Sequence, residues 1–219
     1  MKSKAYSVVK EFEHAVAEYA GAEYGVAVES CCAAIFLSLM FLKDKVLNFA
    51  CIPKYTYPGV AMAIKNAGYD LSFYEYDWDG TYELGNTKII DSALRFKRNM
   101  YLDVPAVFKP YPDKTDRFAL YCLSFHSKKL LPIGRGGMIL TDDTDAYNWL
   151  KMARFDGRKE DIPLSKDNAE FCGWNMYMTP EQAARGLTLF DHIKNKDLPD
   201  LNMKEQGYPD LSKWRCFNG

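Results

Sequence analysis

The chain has 219 residues, 48% hydrophobic and 26% charged, a balance that excludes intrinsic disorder and fits one domain with at most a small appendage. Its 28 Lys+Arg stand against 29 Asp+Glu, and no basic stripe interleaved with aromatics occurs, which argues against a nucleic-acid partner. The longest apolar run, from Ala33 to Leu42, is about half the ~20 residues a membrane helix needs, and no signal-like apolar region follows Met1 to Lys4. A soluble, cytoplasmic protein with no membrane partner is expected.

A first helix is predicted from Tyr6 to Tyr19, where Val9, Phe12, Val16 and Tyr19 recur at helical spacing before Gly21 stops it. A short strand at 25–29 runs into Ser30-Cys31-Cys32 and an apolar helix from Ala33 to Leu42. Val46 to Ile52 reads as a second strand, Pro58 to Ala67 as a helix closing on Gly68, and Leu71 to Tyr76 as a third strand. This alternation predicts an α/β fold, three layers α/β/α, with a mostly parallel sheet covered on both faces. Further strands are expected at 88–91, 119–125 and 138–141, and the Pro- and charge-rich stretch from Arg95 to Phe118 reads as loop. A last helix opens at Thr179, with Thr179 as N-cap, Pro180 as first helical residue and Gln182 as reciprocal cap.

Six cysteines and three histidines are scattered without a C-x-x-C pair, so no metal site is expected and the thiols read as free in a reducing compartment. In a sheet of this kind a ligand lies beyond the carboxyl ends of the strands. Four exits therefore matter: Ser30-Cys31-Cys32, Pro53 to Tyr57, Asp91-Ser92-Ala93 and Ser124 to Lys129. Small residues at the first place free N–H groups and a helix dipole where a phosphate could sit. Asp91 ends an apolar strand, where a carboxylate could cap a helix or face a cation. Lys129 follows a hydroxyl and an imidazole and precedes a glycine loop, a setting in which a depressed pKa would make it a carbonyl nucleophile.

These segments resemble the DegT-type sugar aminotransferases, a family of fold-type-I pyridoxal-phosphate (PLP) enzymes. The family's S-F-H-x-x-K motif is matched by Ser124-Phe125-His126-Ser127-Lys128-Lys129, followed by Gly136-Gly137. Its phosphate turn is matched by Ser30-Cys31-Cys32-Ala33-Ala34, its P-x-x-T-aromatic segment by Pro53 to Tyr57, and its D-x-A segment by Asp91-Ser92-Ala93. Gly173-Trp174-Asn175, Gln182-Ala183-Ala184 and Arg154 to Gly157 extend the order along most of Tyr6 to Leu189.

The resemblance implies the large domain of an aspartate-aminotransferase-like fold over residues 1–190, with 191–219 a short tail in place of the small domain. It implies PLP as cofactor, with Lys129 as its Schiff-base lysine and proton shuttle and Asp91 as the partner of its pyridine nitrogen. Tyr57 would stack on the ring, and Ser30, Cys31, Cys32, Ala33, Ser124 and His126 would line the cofactor, the turn and Ser124 holding its phosphate. Asn175 would reach the cofactor of a neighbouring subunit, making a homodimer with shared active sites. The implied reaction moves an amino group, from glutamate, to a keto group of a nucleotide-linked sugar.

Five departures from the family pattern stand out. Cys32 replaces a threonine, Leu94 a polar residue and Tyr177 an arginine. Only Asp77 to Thr87 is available where the family has another strand-helix unit, and the chain is short after the Gln182 helix. These departures support an alternative, a PLP-binding or degenerate non-catalytic scaffold of the same fold. A third reading, with Gly134-Arg135-Gly136-Gly137 as a nucleotide loop, lacks a glycine fingerprint after the first strand.

Overall fold

The computed structural model describes residues 5–43, 45, 47–102 and 119–217. Most of the loop expected between Arg95 and Phe118, the start of the strand expected at Val46 and the residues Met1 to Lys4 lie outside them. Along β1 (Tyr24–Val28), Val26 and Val28 join one apolar core while Ala27 joins another. The same alternation runs through β5 (Ile89–Asp91), β6 (Leu120–Ser124) and β7 (Gly137–Thr141): Ile89, Leu120, Cys122 and Ile139 face one way, Ile90, Tyr121, Leu123, Met138 and Leu140 the other. A strand's period of two thus separates two helical layers. The first core holds α2 (Cys31–Leu42), α3 (Pro58–Asn66) and α4 (Thr144–Ala153); the second holds α1 (Ser7–Ala20) and α5 (Pro180–Ile193).

The strands β1-β7-β6-β5-β4 form one hydrogen-bonded sheet, with β4 at Tyr82–Leu84, and β2 (Phe49–Pro53) pairs in parallel with β3 (Asp70–Tyr74). Reciprocal backbone bonds between Cys51 and Gly85, at 3.2 and 2.8 Å, tie β2 to the end of β4. Across the molecule the order is therefore β1-β7-β6-β5-β4-β2-β3. The registers make β1, β2, β3, β5 and β6 point one way and β4 and β7 run against them. The three-layer α/β/α reading holds, and most strands share a direction as expected. Neighbour by neighbour the sheet is mixed, because an antiparallel strand stands on either side of the β5–β6 pair.

Strand β4 lies where only a connection was expected, and its direction has a simple cause. To keep every strand parallel, the link from Tyr74 to Ile89 would have to hold a strand and two crossovers, each about a dozen residues or more. It is too short, so the chain turns back through Asn86, at φ 65°, into a β4–β5 hairpin. Helix α4 also escaped the sequence reading. Asp143 caps it by accepting from the Ala146 N–H at 2.8 Å, and Ala146, Leu150 and Ala153 form its buried stripe. The capping box expected at α5 is present, with Thr179 N–H donating to Gln182 Oε1 at 2.9 Å and Gln182 N–H to Thr179 Oγ1 at 3.3 Å.

After α5 the chain forms short 3-10 turns at Met203–Gln206, Leu211–Lys213 and Arg215–Phe217 and lies back against the sheet exits. Arg95 grips Asp200 through Nε at 3.0 Å and Nη2 at 2.6 Å, and Leu201 N–H donates to the Leu94 carbonyl at 2.9 Å. Further along, Leu211 N–H donates to the Lys54 carbonyl at 2.9 Å, and Met203 and Leu211 are buried in the α2–α3 core.

Candidate active site

Two glycines bring the helix starts together at the sheet edge. A Cβ on Gly137 would lie 2.4 Å from the Ser30 carbonyl carbon and 2.6 Å from the Cys31 nitrogen, so only glycine lets β7 pass beneath the first turn of α2. A Cβ on Gly59 would lie 2.4 Å from Cys32 Sγ and 2.7 Å from the Tyr57 ring, so the start of α3 abuts the start of α2. Ser30 caps α2, its Oγ accepting from the Ala33 N–H at 3.1 Å.

Asp91, the last residue of β5, is 2% exposed. Burial pushes its carboxyl above the usual range, opposed by the Ala93 N–H donating to Oδ1 at 2.9 Å, by the Tyr82 hydroxyl and by the nearby Lys129 ammonium. Tyr82 is itself fully buried, 2.8 Å from Thr56 Oγ1, so a chain of hydroxyls supports the carboxylate from behind. Cys31 Sγ lies 4.0 Å from Asp91 Oδ1 and 3.5 Å from the Cys122 carbonyl. Burial, and then the Asp91 charge, push the Cys31 thiol well up, and the same two causes push Cys32 up to about 11. Both remain neutral thiols at ordinary pH.

Lys129 stands half-buried after β6, its N–H donating to the His126 carbonyl at 2.9 Å in a tight turn. Burial lowers its pKa, with Lys128 adding repulsion, while Asp91 and Cys31 pull the other way. A lysine so placed releases its proton more readily than a surface lysine, as a carbonyl nucleophile must. Its Nζ lies 3.5 Å from the Tyr208 hydroxyl. Tyr208 in turn stacks on Trp78, ring centroids 6.2 Å apart and planes 11° apart.

The fold thus gathers Ser30, Cys31, Cys32, Ala33, Asp91 and Lys129 at one edge, with Tyr57 exposed beside them and Ser124 paired to Gly137 at the end of β6. Two further expected residues lie at the surface. His126 is exposed, its Nδ1 accepting from the Lys128 N–H at 3.3 Å. Asn175 is exposed and donates to Asp156 Oδ2 at 3.2 Å. Tyr82, Trp78 and Tyr208 lie outside the segments singled out in the sequence, since nothing in their local sequence signals contact with a residue far along the chain, whereas Thr56 belongs to the Pro53 to Tyr57 exit. Among the described residues no group of three His, Cys, Asp or Glu could hold a metal ion, and no helix is long and apolar enough to cross a membrane.

A family model described as the DegT/DnrJ/EryC1/StrS aminotransferase family matches residues 2–92 and 116–197. Among curated proteins, the chain is 22% identical over 216 residues to "Uncharacterized protein MJ1066" of Methanocaldococcus jannaschii, covering 81% of this chain and 55% of that protein. Among solved structures it resembles PseC of Helicobacter pylori, an aminotransferase involved in pseudoaminic acid biosynthesis, at TM-score 0.68 and 14% identity over 100% of this chain and 85% of that one. AtS13 from Actinomadura melliaura superposes at TM-score 0.63 and 18% identity, covering 87% of this chain and 60% of its own. Spr1654 of Streptococcus pneumoniae, in its apo form, superposes at TM-score 0.65 and 17% identity, covering 84% of this chain and 58% of its own. The chain therefore spans little more than half of several relatives, and at these identities the structural likeness establishes the fold.

Proposed function

We propose that this chain, which belongs to the DegT/DnrJ/EryC1/StrS aminotransferase family, is a PLP-dependent aminotransferase that moves an amino group from glutamate to a keto group of a nucleotide-linked sugar. The observation that carries the reading is the pairing, in one site, of a buried carboxylate at Asp91 with a lysine whose amine is partly desolvated at Lys129.

The residues present fit the cofactor. Asp91 would face its pyridine nitrogen and hold the proton there, and the hydroxyls of Tyr82 and Thr56 keep the carboxylate aimed. The first turn of α2, with no side chain larger than cysteine, would receive the phosphate at Cys32 and Ala33, beside Ser124. Tyr57 would cover the ring. Lys129 would hold the cofactor through Nζ and then, as a freed amine, would take up at Nζ the proton that leaves the amine-bearing carbon of the donor. When bound, PLP supplies an electron-withdrawing ring that stabilises negative charge on the substrate carbon. Asn175 would serve the site of a second subunit in a homodimer, and the six free cysteines suit a reducing, cytoplasmic setting.

One observation favours a second reading, a cofactor-binding scaffold without turnover. Cys32, a thiol, stands where the phosphate turn resembles one with a hydroxyl, and thiols are weak donors.

The test is spectroscopic. Purified protein mixed with PLP should turn yellow, and borohydride should fix the cofactor to the peptide carrying Lys129. Lys129→Ala should lose both. A Lys129→Ala protein that reduces like wild type would overturn the assignment. Adding glutamate should bleach the yellow form to the amine form of the cofactor; failure with every common amino donor would favour the scaffold.

A further inference from the structure

Tyr208 comes from the segment after α5, yet its hydroxyl lies 3.5 Å from Lys129 Nζ. Its position is fixed from both sides. Upstream, Asp79 and Asn202 form a backbone bridge, and the Asn202 side chain accepts from the Lys204 N–H at 2.7 Å. Downstream, Tyr55 and Asp210 form another bridge, and the Asp210 carboxylate lies 3.9 Å from the Lys54 ammonium. Beneath the ring, Trp78 is itself anchored, its Nε1–H donating to the Tyr55 carbonyl at 3.0 Å. A phenol held this way is pre-aimed at the amine.

We propose that Tyr208 is a positioning residue for Lys129, its hydroxyl serving as the neutral hydrogen-bond partner that aims the ε-amine and sets the balance between its charged and free forms. The inference rests on the reading of Lys129 as the amine that takes the cofactor. It adds a residue outside every motif that carries the family resemblance.

The chemistry of the pair is directional. Burial, and then the Asp91 charge, push the Tyr208 phenol well above its usual range, so it stays protonated at ordinary pH. Towards an ammonium it offers an oxygen lone pair; towards a free amine it offers its proton. The first bond is charge-assisted and about twice as strong as the second, so the hydroxyl favours the ammonium on balance. The ring has the opposite effect, because it keeps water away from the amine. The remaining groups around Lys129 are the Asp91 carboxylate from β5, the Cys31 thiol from α2 and the Lys128 ammonium of its own turn.

Hydroxyl and ring can therefore be separated by two substitutions. Tyr208→Phe keeps the cover and deletes the bond, so the Lys129 titration should move down by roughly half to one pH unit. Tyr208→Ala deletes the same bond but also opens the site to water, so its midpoint should lie above that of Tyr208→Phe by roughly half to one unit. The readout is the rate of Lys129 acetylation by acetic anhydride, against an internal amine standard, in the cofactor-free full chain over a pH series, with the peptide quantified by mass spectrometry. A lowered midpoint in Tyr208→Phe, with that of Tyr208→Ala above it, supports the proposal. An unchanged or raised midpoint in Tyr208→Phe, or a Tyr208→Ala midpoint at or below that of Tyr208→Phe, overturns it. If Tyr208→Ala does not fold, Tyr208→Phe decides alone.

Borohydride fixation of the cofactor in the wild-type protein is run beside it. Fixation on Lys129 with an unmoved Tyr208→Phe titration sinks the positioning role and leaves the proposed function standing. Absence of fixation sinks the function, and the titration still decides whether Tyr208 governs the amine.

Discussion

Glu13 of α1 and Arg154 at the end of α4 stand 141 positions apart in the chain and meet at 2.5 Å, with the guanidinium fully buried. Glu13 Oε1 also accepts from the Ala27 N–H at 2.9 Å, and Arg154 donates to the Ala27 carbonyl. Glu160 and Lys151 complete the cluster, Arg154 Nη2 to Glu160 at 2.5 Å and Lys151 Nζ to Glu13 at 3.0 Å. A helix from each face of the sheet is thereby pinned to β1. The Arg154 carbonyl then accepts from the Met176 N–H at 2.9 Å, which sets the segment carrying Asn175.

Removing one partner of this cluster leaves an uncompensated charge in the core. Glu13→Ala should cost about 3–5 kcal/mol of stability by urea denaturation, far more than deleting an exposed pair such as Lys159–Glu170. A loss below about 1 kcal/mol would show that the cluster is not buried as described.

Gly137→Ala tests the close approach of β7 and α2. The new methyl must push Ser30 and Cys31 away, at a cost of roughly 1–3 kcal/mol. It should also displace the helix start proposed to hold phosphate, so PLP affinity should fall more than in an equally destabilised core variant such as Leu140→Ala. Equal losses of affinity would argue against a phosphate site there.

Glu83 on β4 has its carboxyl raised by burial from 4.5 to about 7. The folded state thus binds a proton more tightly than the unfolded chain, and stability should fall as pH rises from about 4.5 to about 7. Glu83→Gln should flatten that part of the stability-versus-pH curve. An unaltered slope in the variant would assign the dependence to another group.

Asp200→Asn should release the segment that delivers Tyr208. Its bond pattern with Arg95 is a two-pronged charged grip, and asparagine keeps shape without charge. Amide exchange should quicken across 201–211 while β6 and β7 stay protected. Unchanged exchange across 201–211 would mean that the segment is held by other contacts.

The parts of this molecule legible in its sequence are those written in local pattern. The helices α1, α2, α3 and α5 announce themselves by apolar spacing, Pro58, Gly21 and the Thr179–Gln182 box. Strand exits at Ser30, Asp91 and Ser124 were legible too, because each apolar run ends on a polar residue. The antiparallel insertion of β4 was not, since it follows from a length constraint and not from residue type. Helix α4 was missed because its stripe, Ala146, Leu150 and Ala153, is weakly apolar and only its Asp143 cap marks it. Tyr208 and Tyr82 belong to the site through long-range packing, which a window of neighbouring residues does not encode.

Strand β1 pairs along its length with β7, Tyr24 with Thr141 at one end and Val28 with Gly137 at the other. During synthesis, more than a hundred residues must leave the ribosome before that edge finds its mate, and such loop closure makes folding slow. Until then α1 is the local shield for the nascent edge, its Phe12 and Val16 packing on the same face as Ala27. Substitutions that weaken this early helix should therefore reveal themselves first as chaperone dependence and aggregation during expression, before any defect appears in the finished molecule.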